Sequence, residues 1–162
     1  NDLAVQQLLA AGANMEVEAT FNGYRGTALH LAVDMVRYQH GVAVKVIKTL
    51  LAAGAELEAR DVIQRTPLRV ATWLYFHIPR QQQNAMEAVV HILLAAGADV
   101  NAKTRYQLTA LHDAVRGGHL AMMRRLLAAG ADPEARDIDG ITPVHMAFAG
   151  RRPGAAAVLL QA

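Results

Sequence analysis

The chain has 162 residues, 53% of them hydrophobic, and a formal net charge of +2. That length can bury a sizeable core, while so small a charge does not by itself imply a nucleic-acid partner. Cys and Ser are both absent, which excludes disulfides, thiol chemistry and serine nucleophiles. No apolar run approaches the roughly 18 residues of a membrane span, and no signal-peptide pattern occurs, so no membrane partner and a cytoplasmic location are expected. Arg outnumbers Lys 13 to 3 and Ala is abundant, a usage that suits the GC-rich coding of a bacterial source.

The first predicted element, from Asp2 to Ala13, is a helix with apolar positions at Leu3, Val5, Leu8 and Leu9, closing on LLAAGAN from Leu8. The closing phrase returns as LLAAGAE from Leu50 and as LLAAGAD from Leu93 and Leu126. A second phrase interleaves with it: GTALHLA from Gly26, RTPLRVA from Arg65, LTALHDA from Leu108 and ITPVHMA from Ile141. Thr109 and Thr142 are separated by the same interval as Gly97 and Gly130. That interval is the period of a stacked array, in which each repeat is one small supersecondary unit. The Thr caps the start of one helix, and Pro suits the first helical position, where its missing N–H costs nothing. The Gly closes a second helix in the left-handed conformation. Each unit therefore reads as helix, short turn, helix and extended hairpin loop. One unit cannot bury its own apolar face, so the units must stack.

These phrases resemble the ankyrin repeat family, whose hallmark is a TPLH motif followed by a GAD-type helix ending. The resemblance covers essentially the whole chain and implies an all-α ankyrin repeat solenoid of stacked helix-turn-helix pairs with hairpin loops. On this reading the chain is a single repeat domain. Residues 1–14 are the second helix of a partial repeat, 15–55 repeat 1, 56–98 repeat 2, 99–131 repeat 3 and 132–162 repeat 4. The chain begins on Asn1 rather than Met, as expected of a segment of a longer protein or of one whose first residues are disordered.

Repeats 1 and 2 depart from the template set by repeat 3. The stretch from Gly12 to Thr27 exceeds that from Gly97 to Thr109 by three positions, so the first hairpin loop is longer. Thr27 to Gly54 exceeds Thr109 to Gly130 by six positions, and the extra ones fall near Arg37 to Gly41. Thr66 to Gly97 exceeds the same template by ten, which read as a bounded loop after Trp73-Leu74-Tyr75-Phe76. Gln81 to Gln83 read as a solvated linker, and Asn84 with Glu87 as a capping box opening the next helix. In repeat 2 Arg69 stands where the motif's His is expected. At the C-terminal end, Ala155-Ala156-Ala157-Val158 gives the last repeat an outer face less polar than a terminal repeat normally carries.

Of the seven His, the family resemblance gives His30, His112 and His145 a structural role tying adjacent repeats together. They lie about one repeat apart and so cannot converge on one tetrahedral metal. The carboxylates Glu16, Glu56, Asp99 and Asp132 recur at the helix-ending position, and no glycine-rich phosphate loop occurs. No enzyme activity, metal or cofactor is expected.

Seven of the eight aromatics (Phe21, Tyr24, Tyr38, Trp73, Tyr75, Phe76 and Tyr106) fall at hairpin tips, first-helix ends or insertions. Phe148 instead takes a place where a small core residue is usual. In the family, the tips and first-helix ends form the concave partner-binding face. Registering the repeats lines up Tyr24 and Arg25, Ile63 and Arg65, Arg105 and Tyr106, then Ile138 and Asp139 along the tips. Asp34 and Met35, Trp73 and Leu74, then Arg116 follow along the first-helix ends, with Tyr75 and Phe76 beside them. Aromatics with Arg nearby are the composition of interface hot spots. The expected function is therefore a monomeric scaffold that binds a folded domain or extended segment of another protein. A bacterial effector domain, an inhibitor or immunity protein, and an adaptor all fit that expectation. The alternative is nucleotide or RNA binding, with Trp73 or Tyr106 stacking on bases and Arg65, Arg105 or Arg116 meeting phosphate.

Overall fold

A computed structural model of the chain describes residues 2–21 and 24–162; the side chains of Asp2, Phe21 and Tyr24 are outside that description. The chain divides into two compact units, residues 1–98 and 99–162. The first holds α1 (Asp2–Ala10), a hairpin of β1 (Ala19–Phe21) and β2 (Tyr24–Gly26), then α2 (Ala28–Asp34), α3 (Val36–Ala52), α4 (Pro67–Tyr75) and α5 (Arg80–Ala95). The second holds α6 (Ala110–Gly117), α7 (Leu120–Ala128), α8 (Pro143–Ala149) and α9 (Pro153–Leu159). The two strands are antiparallel, with Ala19 opposite Gly26, and they form the long first hairpin. All the other regular structure among the described residues is helical, as expected of a stacked array.

Helix ends follow from the repeated phrase. Gly12, Gly54, Gly97 and Gly130 all take positive φ, which costs a residue without Cβ little. In each case the next amide reaches back across the last turn: Ala13 to Leu8, Ala55 to Leu50, Ala98 to Leu93 and Ala131 to Leu126, all at 3.0 Å. The Gly amide bonds the residue after that Leu, at 2.9–3.0 Å. This is the Schellman arrangement, and at all four ends it satisfies carbonyls that a helix terminus leaves open.

Helix starts follow from Thr and His. Thr66 Oγ1 accepts the Arg69 amide at 3.3 Å, opening α4 with Pro67 in its first turn. Thr109 N–H donates to His112 Nδ1 at 3.2 Å, and Thr142 N–H to His145 Nδ1 at 3.3 Å. Because Nδ1 accepts, each neutral imidazole keeps its proton on Nε2, aimed away from its own helix.

Packing is both within each helix pair and between like helices of neighbouring repeats. In the first unit α2 packs on α3 and α4, α4 on α5, and α3 on both α1 and α5; in the second, α6 packs on α7 and α8, and α9 on α7 and α8. Leu29, Ile47, Leu68, Leu74, Met86 and Leu93 fill the first core, and Leu111, Met122, Met123 and Leu126 the second. Each such side chain contributes about 2 kcal/mol on burial.

The insertion of repeat 2 differs from the sequence expectation, while that of repeat 1 falls where the register places it. The extra residues of repeat 1 are helical, giving α3 an added N-terminal turn broken by the non-helical Gln39. Those of repeat 2 lengthen the second helix, since α5 starts at Arg80 directly after Pro79. Gln81, Gln82, Gln83 and Asn84 are thus helical, not a linker and a cap. The physical reason is that Gln is a good helix former and that the run is tied down from the preceding helix. Gln83 Nε2 donates to the Tyr75 carbonyl at 3.3 Å, and Glu87, expected to complete a cap, accepts the Tyr75 hydroxyl at 2.8 Å.

Candidate partner-binding surfaces

In the first unit, the hairpin tip 61–65 is built on Asp61. Its side chain is buried, and Oδ1 accepts the amides of Ile63 at 3.0 Å and Arg65 at 2.8 Å. Oδ2 accepts Arg65 Nε at 2.7 Å. Burial by itself works against the charged form of Asp61. The hydrogen bonds from the Arg65 amide and guanidinium, the Arg65 charge and the Ile63 amide outweigh it, and the carboxyl is held below its ordinary value. The Arg65 guanidinium, fixed from below, lies 5.4 Å from the centre of the Trp73 ring. The His77 ring stacks on Trp73 at 4.1 Å, while its Nδ1 bonds the Trp73 carbonyl at 2.6 Å. Asp61, Arg65, Trp73 and His77 thus form one ladder from the core to the surface, with Trp73 half-buried and His77 exposed.

The tip is also tied to α2, the first helix of the preceding repeat. His30, fully buried, has Nδ1 2.9 Å from Thr27 Oγ1, and its Nε2 donates to the Arg65 carbonyl at 2.9 Å. Burial holds its pKa below the ordinary histidine value, and the bond to Arg65 and the Asp61 charge offset this only in part. The unfolded chain therefore takes up a proton that the folded one resists. Stability is complete above about pH 6.5 and falls as pH drops below it, with a limiting slope of about 1.4 kcal/mol per pH unit. Urea midpoints measured from pH 7.5 to 5 should fall, and His30→Gln should flatten the fall. Midpoints that rise on acidification would contradict this assignment.

In the second unit, two successive tips are joined where the Ile138 amide donates to the Tyr106 carbonyl at 3.0 Å. Thr104 Oγ1 accepts the Tyr106 amide at 3.3 Å, and Asp137 Oδ1 accepts those of Asp139 at 3.0 Å and Ile141 at 2.8 Å. Tyr106 is 48% exposed and Ile138 64%, and the Arg105 guanidinium lies 4.8 Å from the Tyr106 ring centre. Asp139 and Arg116 are also exposed in this unit.

Other residues expected at the site are placed differently. Leu74 and Tyr75 are 1% and 5% exposed and belong to the core. On a helix, residues 73, 76 and 77 share one face, which carries Trp73, Phe76 and His77 and turns 74 and 75 inward. Phe76 is half-buried, edge-on to Tyr75 at 5.3 Å. Asp34 is buried and paired with Arg37 at 3.2 Å. Met35 lines an apolar groove of about 270 Å³ with residues of α1, α2 and α3, and Ile63 is half-buried. Arg25 is exposed and pairs with Glu18 at 3.0 Å. The side chain expected of Tyr24 lies outside the described residues. Phe148, expected at a small core position, is 62% exposed.

Two members of the ladder escaped the sequence reading. Asp61 sits in register with Asp137, and His77 follows Trp73 by four residues, so the repeat register and helical spacing carried both signals. Among the described residues, no group of three or more His, Asp or Glu is placed to hold a metal.

Residues 26–62 match the family model described as ankyrin repeat, and residues 93–147 the one described as ankyrin repeats in many copies. Together the matches span more than half of the chain. No curated protein matches it.

Proposed function

The chain belongs to the ankyrin repeat family, and from that premise we propose that it binds another protein through its hairpin tips and first-helix ends. Repeats of this family are in general protein–protein interaction modules. The observation that carries the reading is the ladder under Trp73. A large aromatic is held half-exposed between a guanidinium anchored on a buried carboxylate and a stacked imidazole. An anchor already fixed in place loses little side-chain freedom on binding. Tyr106 and Ile138 supply exposed apolar area at the tips of the other unit, with Arg105 and Asp139 next to them in the chain.

Nucleic-acid binding is the weaker reading. Arg65 is committed to Asp61 and its side chain is only 12% exposed, which leaves it poorly placed to meet phosphate. An effector domain, an inhibitor or immunity protein and an adaptor would all use the same surfaces, and the partner's identity separates them. The test is capture from nuclease-treated lysate of the source cell by the wild-type chain and by the double variant Trp73→Ala, Tyr106→Ala. A protein held by the first and lost by the second supports the reading, provided both unfold at similar urea concentrations. An unchanged captured set would refute it, and capture abolished by nuclease would favour the nucleic-acid alternative.

A further inference from the structure

Three hairpin tips among the described residues close in the same way. The amides of Asp61, Thr104 and Asp137 donate to the carbonyls of Arg65, Leu108 and Ile141 at 3.0, 3.1 and 3.0 Å. Within each tip the fourth residue's amide turns back on the first: Gln64 to Asp61 at 2.9 Å, Gln107 to Thr104 at 2.8 Å and Gly140 to Asp137 at 3.0 Å. That fourth residue is left-handed in all three, with φ of 65°, 59° and 77°. Glycine fills such a loop position without steric cost, and Gly140 does so here. Gln64 and Gln107 carry a Cβ into the same conformation and are strained by it.

Nothing within the chain accounts for that strain. Gly140 shows that the turn closes without a side chain. Both Gln side chains are exposed, and neither carboxamide makes a hydrogen bond among the described residues. The charged groups beside them are already engaged. Arg60 Nη1 donates to the Gln64 carbonyl at 3.2 Å, Arg65 is held by Asp61, and Arg105 lies over the Tyr106 ring. What the two tips present next to the carboxamides is apolar, with Val62 and Tyr106 both exposed.

Strain kept at an exposed position, where a strain-free residue would serve the turn, marks a site of function. We infer that the Gln64 and Gln107 carboxamides are contacts to the bound protein and hydrogen-bond its main chain. A primary amide holds a donor and an acceptor side by side, the complement of a peptide unit's carbonyl and N–H. Apolar neighbours suit that role, because a main chain held by hydrogen bonds sets its side chains against the surface alongside. Each Gln acts at its own tip, one in each unit. The inference rests on the protein-binding reading above and specifies what the tips recognise.

The test uses two double variants and, as probe, the protein captured from nuclease-treated lysate of the source cell. Q64G/Q107G removes both the strain and the carboxamides. Its urea midpoint should rise by about 0.5 M, while the chain concentration that half-saturates capture should rise about tenfold. Q64E/Q107E keeps the reach but cannot donate to a carbonyl, so capture should weaken likewise with the midpoint near that of wild type. Hydrogen exchange of the captured protein reads the main chain directly: amides protected by the wild-type chain should lose protection with Q64G/Q107G. A midpoint lowered by glycine would mean that the Gln side chains support the tips, and would overturn the inference. Capture unchanged in both variants, or the same amides protected throughout, would overturn it too. Trp73→Ala with Tyr106→Ala in the same assay keeps the two readings apart. If that pair abolishes capture and the Gln pair does not, only this inference fails. If that pair leaves capture unchanged, or the wild-type chain captures nothing, the protein-binding reading fails and this inference falls with it.

Discussion

Asp61→Ala should lower the free energy of unfolding by about 3 kcal/mol, and the cost comes from what the substitution strands. Two amides, of Ile63 and Arg65, lose their acceptor, and the Arg65 guanidinium loses the carboxylate 2.7 Å away. Leaving a buried donor unsatisfied costs about 1–3 kcal/mol, and breaking a buried ion pair from one side about 3–5 kcal/mol, an upper bound here because Arg65 is partly exposed. Asp61→Asn keeps an acceptor for the amides but loses the charge, so about half the loss is expected. The wild-type contribution is complete above the ordinary carboxylate value and vanishes as pH falls through the lower folded-state value. Urea denaturation of the three chains at neutral pH measures this directly. An alanine variant no less stable than an ordinary surface substitution, within about 0.5 kcal/mol of wild type, would mean the tip does not rest on Asp61.

Trp73→Ala and Leu74→Ala, adjacent in sequence, should act on different properties, the first mainly on partner affinity and the second on stability. Trp73 is half-buried, supported by Arg65 and His77, and its loss should cost about 1 kcal/mol of stability, the scale of an exposed cation–π and stacking contact. Partner affinity should fall about 30-fold, equivalent to about 2 kcal/mol, as for an aromatic interface anchor. Leu74 is fully enclosed, and truncating it should cost about 3 kcal/mol of stability through lost burial and the cavity left behind. Affinity of the folded Leu74→Ala chain should be nearly unchanged. Titration of the captured partner against each variant, paired with urea midpoints, separates the two. Equal losses of affinity would mean that Trp73 acts through the fold.

The parts of the fold legible in the sequence are those fixed by local chemistry. A Gly after Leu-Leu-Ala-Ala stops a helix wherever it occurs, and Thr-x-x-His starts one, because each motif satisfies helix-end groups within a few residues. The insertion of repeat 2 was not legible, because helix, turn and loop compete there on nearly equal terms. Gln81 to Asn84 became helix once Gln83 and Glu87 found Tyr75, a contact no local pattern announces. The site was half legible. Trp73 and Tyr106 stood out as aromatics the core did not require, whereas Leu74 and Tyr75 were grouped with Trp73 by adjacency. Helical spacing assigns them to the opposite side and brings in His77. Asp61 was passed over in the sequence, and its three bonds show it to be the footing of Arg65.

The most direct measurement is hydrogen–deuterium exchange of the chain with and without the captured protein. Bound partner should slow exchange at 61–77 and at 104–108 and 137–141, the tips and the first-helix end around Trp73. It should leave the second helices at 84–95 and 120–128 as they were. Protection confined to those second helices, with the tips exchanging freely, would contradict recognition through the tips.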